Sequence, residues 1–283
     1  MKLTTMLSLM LSVAVIAASC GTEKVKEQET KKEEAPKPKP GDPIKFDSSK
    51  RYIYLTWDDS PQPPGTIICK DIFHKQGVKA TFFAVGMHAF DLRRKRLAEE
   101  IANSYPEFLL ANHSYSHGFN NQYKNFYTHP DSAVKDFQRA EAEFKIPVKI
   151  IRLPGNNSWV LDGEMKGPLS TAKVYKKLDS LGYNVIGWDV EWGFKGGNIP
   201  LQSATEMAKQ VSEKFEDALT VAPNAIVILA HDRMFAKPQY QDSLNRFIEL
   251  LKSDSRNVFE TIDHYPLLKK TAKQDSVTVK KAK

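Results

Sequence analysis

The chain has 283 residues, a 41% hydrophobic fraction, and 41 Lys plus Arg against 34 Asp plus Glu, a formal net charge of +7. Six lysines and one aspartate between Lys269 and Lys283 carry +5 of that charge, so the rest is nearly balanced. It does not read as a nucleic-acid surface, and nothing identifies a protein partner. Only two cysteines, Cys20 and Cys69, are present, which excludes a disulfide-built scaffold.

In chain order, Lys2 is followed by an almost wholly apolar run from Met6 to Ala18 and then by Ser19-Cys20. The run is short for a membrane span and fits a secretory signal. Small residues directly before a cysteine resemble a lipobox, although Ala17 stands where Leu is usual. Residues 1–20 are therefore expected to be a lipoprotein signal ending at a lipidated Cys20. That implies an exported protein held at a membrane, facing the periplasm or the cell surface. Residues 21–44 are Lys, Glu and Pro with little to bury, the composition of a disordered tether. Residues 269–283 form a basic tail, and 45–268 remain as the folded domain.

Within that domain, near-continuous apolar runs predict buried strands at Tyr52–Trp57, Ala80–Val85, Phe108–Ala111, Val148–Leu153, Asn184–Trp188 and Ala225–Ala230. Helical stretches fall between and after them, at Ile67–Gln76, Leu92–Ser104, Asp131–Phe144, Ser170–Leu181, Ser203–Ala218 and Asp242–Lys252. Gly77 and Gly182 supply C-terminal stops. Strand and helix in alternation predict a parallel α/β sheet. A polar cluster follows nearly every strand: Asp58-Asp59, His113 and His117, Arg152, Asp189 and Glu191, and His231. A closed barrel gathers all strand ends at one mouth, so the expectation is a (β/α) barrel with its site there.

His113 and His117 are four residues apart, and a helical turn between them would put both rings on one face. With Asp59 they make a two-His, one-carboxylate set, which leaves room for a reacting group as catalytic zinc requires. Adjacent Asp58 and Asp59 would repel each other unless one meets a metal and the other an arginine. Cys69, in an apolar run, is expected to be buried packing. His74, His88, His129 and His264 fit no motif and are read as surface or packing residues.

Five segments in order resemble the polysaccharide deacetylase family, the NodB-homology group of family 4 carbohydrate esterases. They are Thr56-Trp57-Asp58-Asp59-Ser60-Pro61, Ala80-Thr81-Phe82-Phe83-Ala84-Val85-Gly86, Asn112-His113-Ser114-Tyr115-Ser116-His117, Arg152-Leu153-Pro154-Gly155 and Leu229-Ala230-His231. Ser60 stands where the family has glycine. The resemblance implies a distorted (β/α) barrel and a divalent metal, zinc first with cobalt or nickel as alternatives, held by Asp59, His113 and His117. It implies Asp58 as general base, Arg152 as its charge partner, and His231 as general acid. Glu191 (or the competing Asp189) would tether His231. A Gly155 N–H would sit at the oxyanion, Trp192 would wall an acetyl pocket, and Pro154 and Leu229 would contact substrate.

The implied activity is removal of N-acetyl groups from a glycan. An exported, tethered enzyme meets envelope glycan first, so N-acetylated peptidoglycan ranks ahead of chitin oligomers, other N-acetylhexosamine polymers and acetylxylan. Two rivals remain: a glycan-binding lipoprotein on a degenerate barrel, kept open by Ser60 and Glu191, and a metal-dependent amidase with a smaller pocket.

Overall fold

A computed structural model describes residues 37–269. The expected signal with Cys20, most of the tether and the tail from residue 270 lie outside the described residues. The compact unit begins at Pro38, so the tether's expected end at residue 44 moves back. The Gly41 N–H donates to Asp263 Oδ2 at 2.8 Å, and His264 Nε2 lies 2.9 Å from the Asp42 carbonyl. Lys269 also belongs to the body rather than to a tail, its Nζ donating to Asp179 Oδ1 at 2.5 Å and to the Tyr183 carbonyl at 2.8 Å.

The six predicted strands are all present: β1 (Arg51–Ser60), β2 (Ala80–Ala84), β3 (Phe108–Asn112), β4 (Ile150–Ile151), and, further on, β7 (Asn184–Val185) and β11 (Ala225–His231). Short pieces complete the set: β5 (Trp159–Val160), β6 (Met165–Lys166), β8 (Val190–Glu191), β9 (Phe194–Lys195), β10 (Ile199–Pro200) and β12 (Asn257–Phe259). The main sheet runs β6-β5-β7-β4-β3-β2-β1-β11-β8, with β12 also on β1 and β9–β10 a separate hairpin. Its central ladders are parallel, and β5 alone pairs antiparallel, to β6 and β7. The fold is thus a distorted (β/α) barrel, a curled sheet whose ladder does not close among the described residues. A distorted barrel was expected, and the chain forms one. Two-residue strands at β4, β5, β7 and β8 leave too few ladder bonds to complete the circle.

The helices are α1 (Gly65–Gln76), α2 (Leu92–Asn103), α3 (His117–Asn121), α4 (Tyr123–Thr128), α5 (Pro130–Phe144), α6 (Ala172–Ser180), α7 (Ala204–Glu216) and α8 (Pro238–Lys252). Local chemistry fixes their ends. Gly77 closes α1 in the left-handed conformation, Asp91 caps α2, and Ser203 with Glu206 forms a reciprocal capping box on α7.

Strand β1 shows why the apolar runs lack alternation. Ile53, Leu55 and Trp57 face a cluster shared with Phe73, Phe82, Phe235 and Phe247 beneath the helices. Tyr52 and Tyr54 face the inner cluster with Phe83, Ile186 and Val227. Both faces are buried, so both are apolar. The inner face continues through Thr56 to Asp58, which carries that side chain to the C-terminal mouth.

Candidate active site

The mouth opens a cavity of about 690 Å³ whose floor holds Asp58, Asp59, His113, His117, His231 and Arg233. In a regular strand, Asp58 and Asp59 would point to opposite faces. The register of β1 against β2 shifts between Trp57 and Ser60, and Asp59 sits at φ 68°. This bulge turns both carboxylates into one cavity. Aspartate is among the few side chains that tolerate that backbone region. Ser60 is not among the positive-φ residues. The serine that stands where the family has glycine therefore carries no left-handed strain.

The two histidines meet by a different route from the right-handed helical turn expected. His113 ends β3. His117 opens α3, where φ is positive from His117 through Asn121. A left-handed run is costly for most side chains, and Gly118, Asn120 and Asn121 are the types that bear it best. The ring centroids come within 5.1 Å. His113 Nδ1 lies 3.0 Å from the Arg152 carbonyl, and His117 Nδ1 2.5 Å from Asn121 Oδ1. Each oxygen accepts only if Nδ1 bears the proton, which leaves each Nε2 with a lone pair. Those Nε2 atoms face Asp59 Oδ1 at 3.6 and 3.0 Å.

Asp59 Oδ1 is buried and has no hydrogen-bond partner among the described residues. Three acceptors converging on one point would suit a cation between them. The nitrogen and carboxylate atoms lie within 4.8 Å of one another, and the residues fit a divalent ion with two imidazoles and one carboxylate. Burial holds His113 down to about 3, so it stays a neutral ligand. Burial alone would lower His117 too, but contact with Asp59 raises it. Burial opposes ionisation of Asp59, yet the histidines around it hold its carboxyl well below the usual range.

Arg152 is fully buried and fully engaged. It donates to Asp58 Oδ1 (2.9 Å), Thr56 Oγ1 (2.7 Å) and the carbonyls of Ile186 (3.2 Å) and Gly187 (2.8 Å), with its plane 4.3 Å over Phe83. Asp58 Oδ2 is left facing His113 Nε2 at 3.6 Å. Burial pushes the Asp58 carboxyl up and Arg152 opposes this, so Asp58 is a stronger base than an ordinary aspartate.

Several expected roles are not met. The Asp189 carboxylate accepts from the Val221 and Val227 N–H groups at 2.9 and 2.8 Å and braces the strand instead of reaching His231. Glu191 lines the cavity, but no hydrogen bond joins it to His231, whose buried Nδ1 has no partner among the described residues. Asp189, in the bend just before β8, turns to the backbone, while Glu191 on β8 pairs across to Leu229 and is exposed. Trp192 is fully buried between Phe235 and Phe247 with its Nε1 on the Gln202 carbonyl, so it is core and not an acetyl wall. Trp188, Phe194, Leu201 and Tyr123 line the cavity in its place. Gly155 and Leu229 do line it. Pro154 does not, its carbonyl being taken by Tyr127 Oη at 2.6 Å.

Sequence reading missed Arg233 and His88. Arg233 Nη1 reaches Asp59 Oδ2 at 3.0 Å. His88 lines the cavity, and burial lowers it to about 4. Arg233 was findable from its place two residues after a motif histidine. His88 carried no local signal. Cys69 is buried, as expected.

Fold and site together define an α/β barrel whose mouth gathers two histidines and one carboxylate. Residues 45–158 match the family model described as polysaccharide deacetylase, a stretch that holds Asp58, Asp59, His113, His117 and Arg152. A chitooligosaccharide deacetylase of Rhizobium leguminosarum bv. trifolii is 36% identical over 101 residues, 35% of this chain and 38% of that protein. One from R. leguminosarum bv. phaseoli is 25% identical over 183 residues, 64% and 67% of the two chains. The chain thus spans between about two fifths and two thirds of these relatives. The solved catalytic domain of a peptidoglycan N-acetylglucosamine deacetylase from Eubacterium rectale shares the fold at TM-score 0.55, with 22% identity over 78% of this chain and 93% of that one. A family 4 carbohydrate esterase from Streptomyces lividans, solved with acetate, does so at 0.52, with 20% identity over 77% and 97%.

Proposed function

We propose that the protein is a metal-dependent glycan N-deacetylase, with N-acetylated peptidoglycan sugar as the first substrate and chitin oligomers as the second. The observation that carries this reading is the convergence of His113, His117 and the unbonded Asp59 Oδ1 beside an arginine-held Asp58. His113, His117 and Asp59 would hold a divalent ion, zinc first, which would supply Lewis acidity to the acetamide carbonyl.

The protein's own groups supply the rest. Asp58, fixed through Oδ1 by Arg152, takes a proton from the attacking water through Oδ2 as the new C–O bond forms. His231, at the end of β11 and 3.8 Å from Asp59 Oδ2, protonates the nitrogen as the C–N bond breaks. Acetate and a free amine leave. The Gly155 N–H at the cavity wall is the group on hand for the oxyanion. Aromatic rings of Trp188, Phe194 and Tyr123 offer apolar faces to a sugar. The lipid anchor on Cys20 and an exported location belong to the same proposal. Fatty-acid labelling lost in Cys20→Ser checks them.

The test is acetate release from N-acetylglucosamine oligomers and purified peptidoglycan by metal-stripped and zinc- or cobalt-loaded protein. Release that requires metal and is lost in Asp58→Asn supports the reading. Metal binding with no acetate from either glycan overturns it in favour of a binding protein.

A further inference from the structure

Two adjacent carboxylates share one small cavity, yet only one can serve as base and only one as ligand. Arg152 fixes the first choice by taking Asp58 Oδ1. The second has its own arginine. Asp59 presents Oδ1 to both imidazoles, while its other oxygen, Oδ2, receives Arg233 Nη1 at 3.0 Å. We propose that Arg233 is a positioning residue that holds Asp59 by Oδ2, so that Asp59 meets a cation through Oδ1 alone. This rests on the metal reading above.

Arg233 is built for that task. Its guanidinium lies 4.7 Å over the Phe194 ring, which in turn packs edge-on against His231 at 5.0 Å. The residue before it, Asp232, is fully buried. Asp232 Oδ2 accepts from Ser60 Oγ at 2.9 Å and from Thr66 Oγ1. Ser60 is the residue after Asp59. The clamp therefore ties the strand end that carries Asp59 to the turn that carries Arg233, and a glycine at 60 could not make it. This gives the serine a purpose in a place where the family has glycine. Asp59 itself sits at φ 68°, a sparsely populated backbone setting that neighbouring contacts must hold.

A carboxylate with both oxygens free can chelate; one with an oxygen engaged by a guanidinium cannot. The clamp thereby keeps one coordination position open for substrate and places a fixed positive charge beside the ion.

The experiment uses the full chain, stripped with chelator and titrated with cobalt(II), following the visible absorption and the affinity by chelator competition. Wild type is compared with Arg233→Gln and Arg233→Lys, with circular dichroism as the folding control. In Arg233→Gln, Asp59 should bind through both oxygens. The visible band should weaken at least about twofold as coordination number rises, and binding should tighten about tenfold. Arg233→Lys, which keeps a cation in reach of Oδ2, should return the spectrum most of the way. An Arg233→Gln spectrum and affinity equal to wild type overturn the proposal. So does a weaker affinity with an unchanged spectrum, the mark of a merely structural arginine. Should Arg233→Gln not fold, the lysine variant decides: a spectrum far from wild type in folded protein also overturns it. If wild type binds no cobalt, the metal reading fails and takes this one with it.

Discussion

Two buried clusters of acidic and histidine side chains sit at different places on β1, and they do opposite things with the same residue types. Near the start of the strand, the Glu260 carboxylate takes both contacts of Lys79 Nζ at 2.7 and 2.9 Å, together with the Thr261 N–H. His264 lies against it at 3.0 Å, and Asp263 Oδ2 accepts from Tyr105 Oη and the Gly41 N–H. At the far end, Asp59 Oδ1 and His231 Nδ1 lack partners, and three acceptors face one another. The first cluster brings its own cation, Lys79, to its central carboxylate, although Asp263 Oδ1 and His264 Nδ1 there also lack hydrogen-bond partners among the described residues. The second also holds two arginines, but Arg152 takes Asp58 Oδ1 and Arg233 takes Asp59 Oδ2, so Asp59 Oδ1 is left facing the two imidazoles. Composition would rank the two alike; what separates them is a lysine on both oxygens of Glu260 against two histidines on one oxygen of Asp59.

The largest effects should come from breaking the cradle's base. Asp58→Asn removes the proton acceptor while leaving an oxygen for Arg152, and acetate release should fall by about 10³ or more, near the upper range for a general base. His113→Ala should lose metal as well as activity. Retained stoichiometric zinc, measured after dialysis, would sink the ligand assignment. Arg152→Met is different in kind. It strips four hydrogen bonds and leaves Asp58 buried and unpaired, so roughly 3–5 kcal/mol of stability should go, read by urea unfolding. If stability holds and only activity falls, the pairing is purely catalytic.

Acid titration sharpens the comparison. Burial opposes ionisation of Glu260, but His264, Lys79 and the Thr261 N–H outweigh it and hold the carboxyl at about 2. A folded value below the unfolded one means the stabilisation is present above about pH 4.5 and is lost as pH falls toward 2. Glu260→Gln should flatten that acid limb. Asp232 behaves in the opposite sense. Burial pushes it to about 7 against the hydroxyls of Thr66 and Ser60. The folded state holds the Asp232 proton more tightly than the unfolded chain, so stability falls as pH rises from about 4 to 7 and the loss is complete above that. Asp232→Asn should remove this slope and leave the Glu260 limb intact. Chemical unfolding at half-unit pH steps measures both.

Much of this was legible in the sequence. All six main strands and the long helices followed from apolar runs and stop residues, because both faces of β1 and its neighbours are buried. Asp58, Asp59, His113, His117, Arg152 and His231 were found by position after strands and by family resemblance. What escaped was orientation. Nothing in Val190-Glu191-Trp192 says that the tryptophan turns into the core or that Asp189, just before, turns back to two N–H groups. Those choices are made by Phe235, Phe247 and strand β11, far along the chain. The left-handed turn at α3 was hinted at by Gly118, Asn120 and Asn121, but the positive φ at His117 itself was not. Arg233 is invisible to strand and helix patterns, since its contact with Asp59 depends on the bulge in β1.

The smallest expected effects fall on the rim, and they separate a wall from a core. Trp192→Ala should cost about 3–5 kcal/mol of stability, since its ring is buried between Phe235 and Phe247. Its effect on substrate should track the unfolded fraction and nothing more. Phe194→Ala, on the exposed β9–β10 hairpin, should cost under about 1 kcal/mol because the ring is only partly buried. Its ring lies against both His231 and Arg233, so the loss should appear in KM for the glycan, about five- to tenfold, the scale of one stacking face. A Phe194→Ala enzyme with unchanged KM and a lowered kcat would instead place the ring behind His231 as a support for the acid. The cavity's outer wall would then have to be Trp188 and Tyr123 alone.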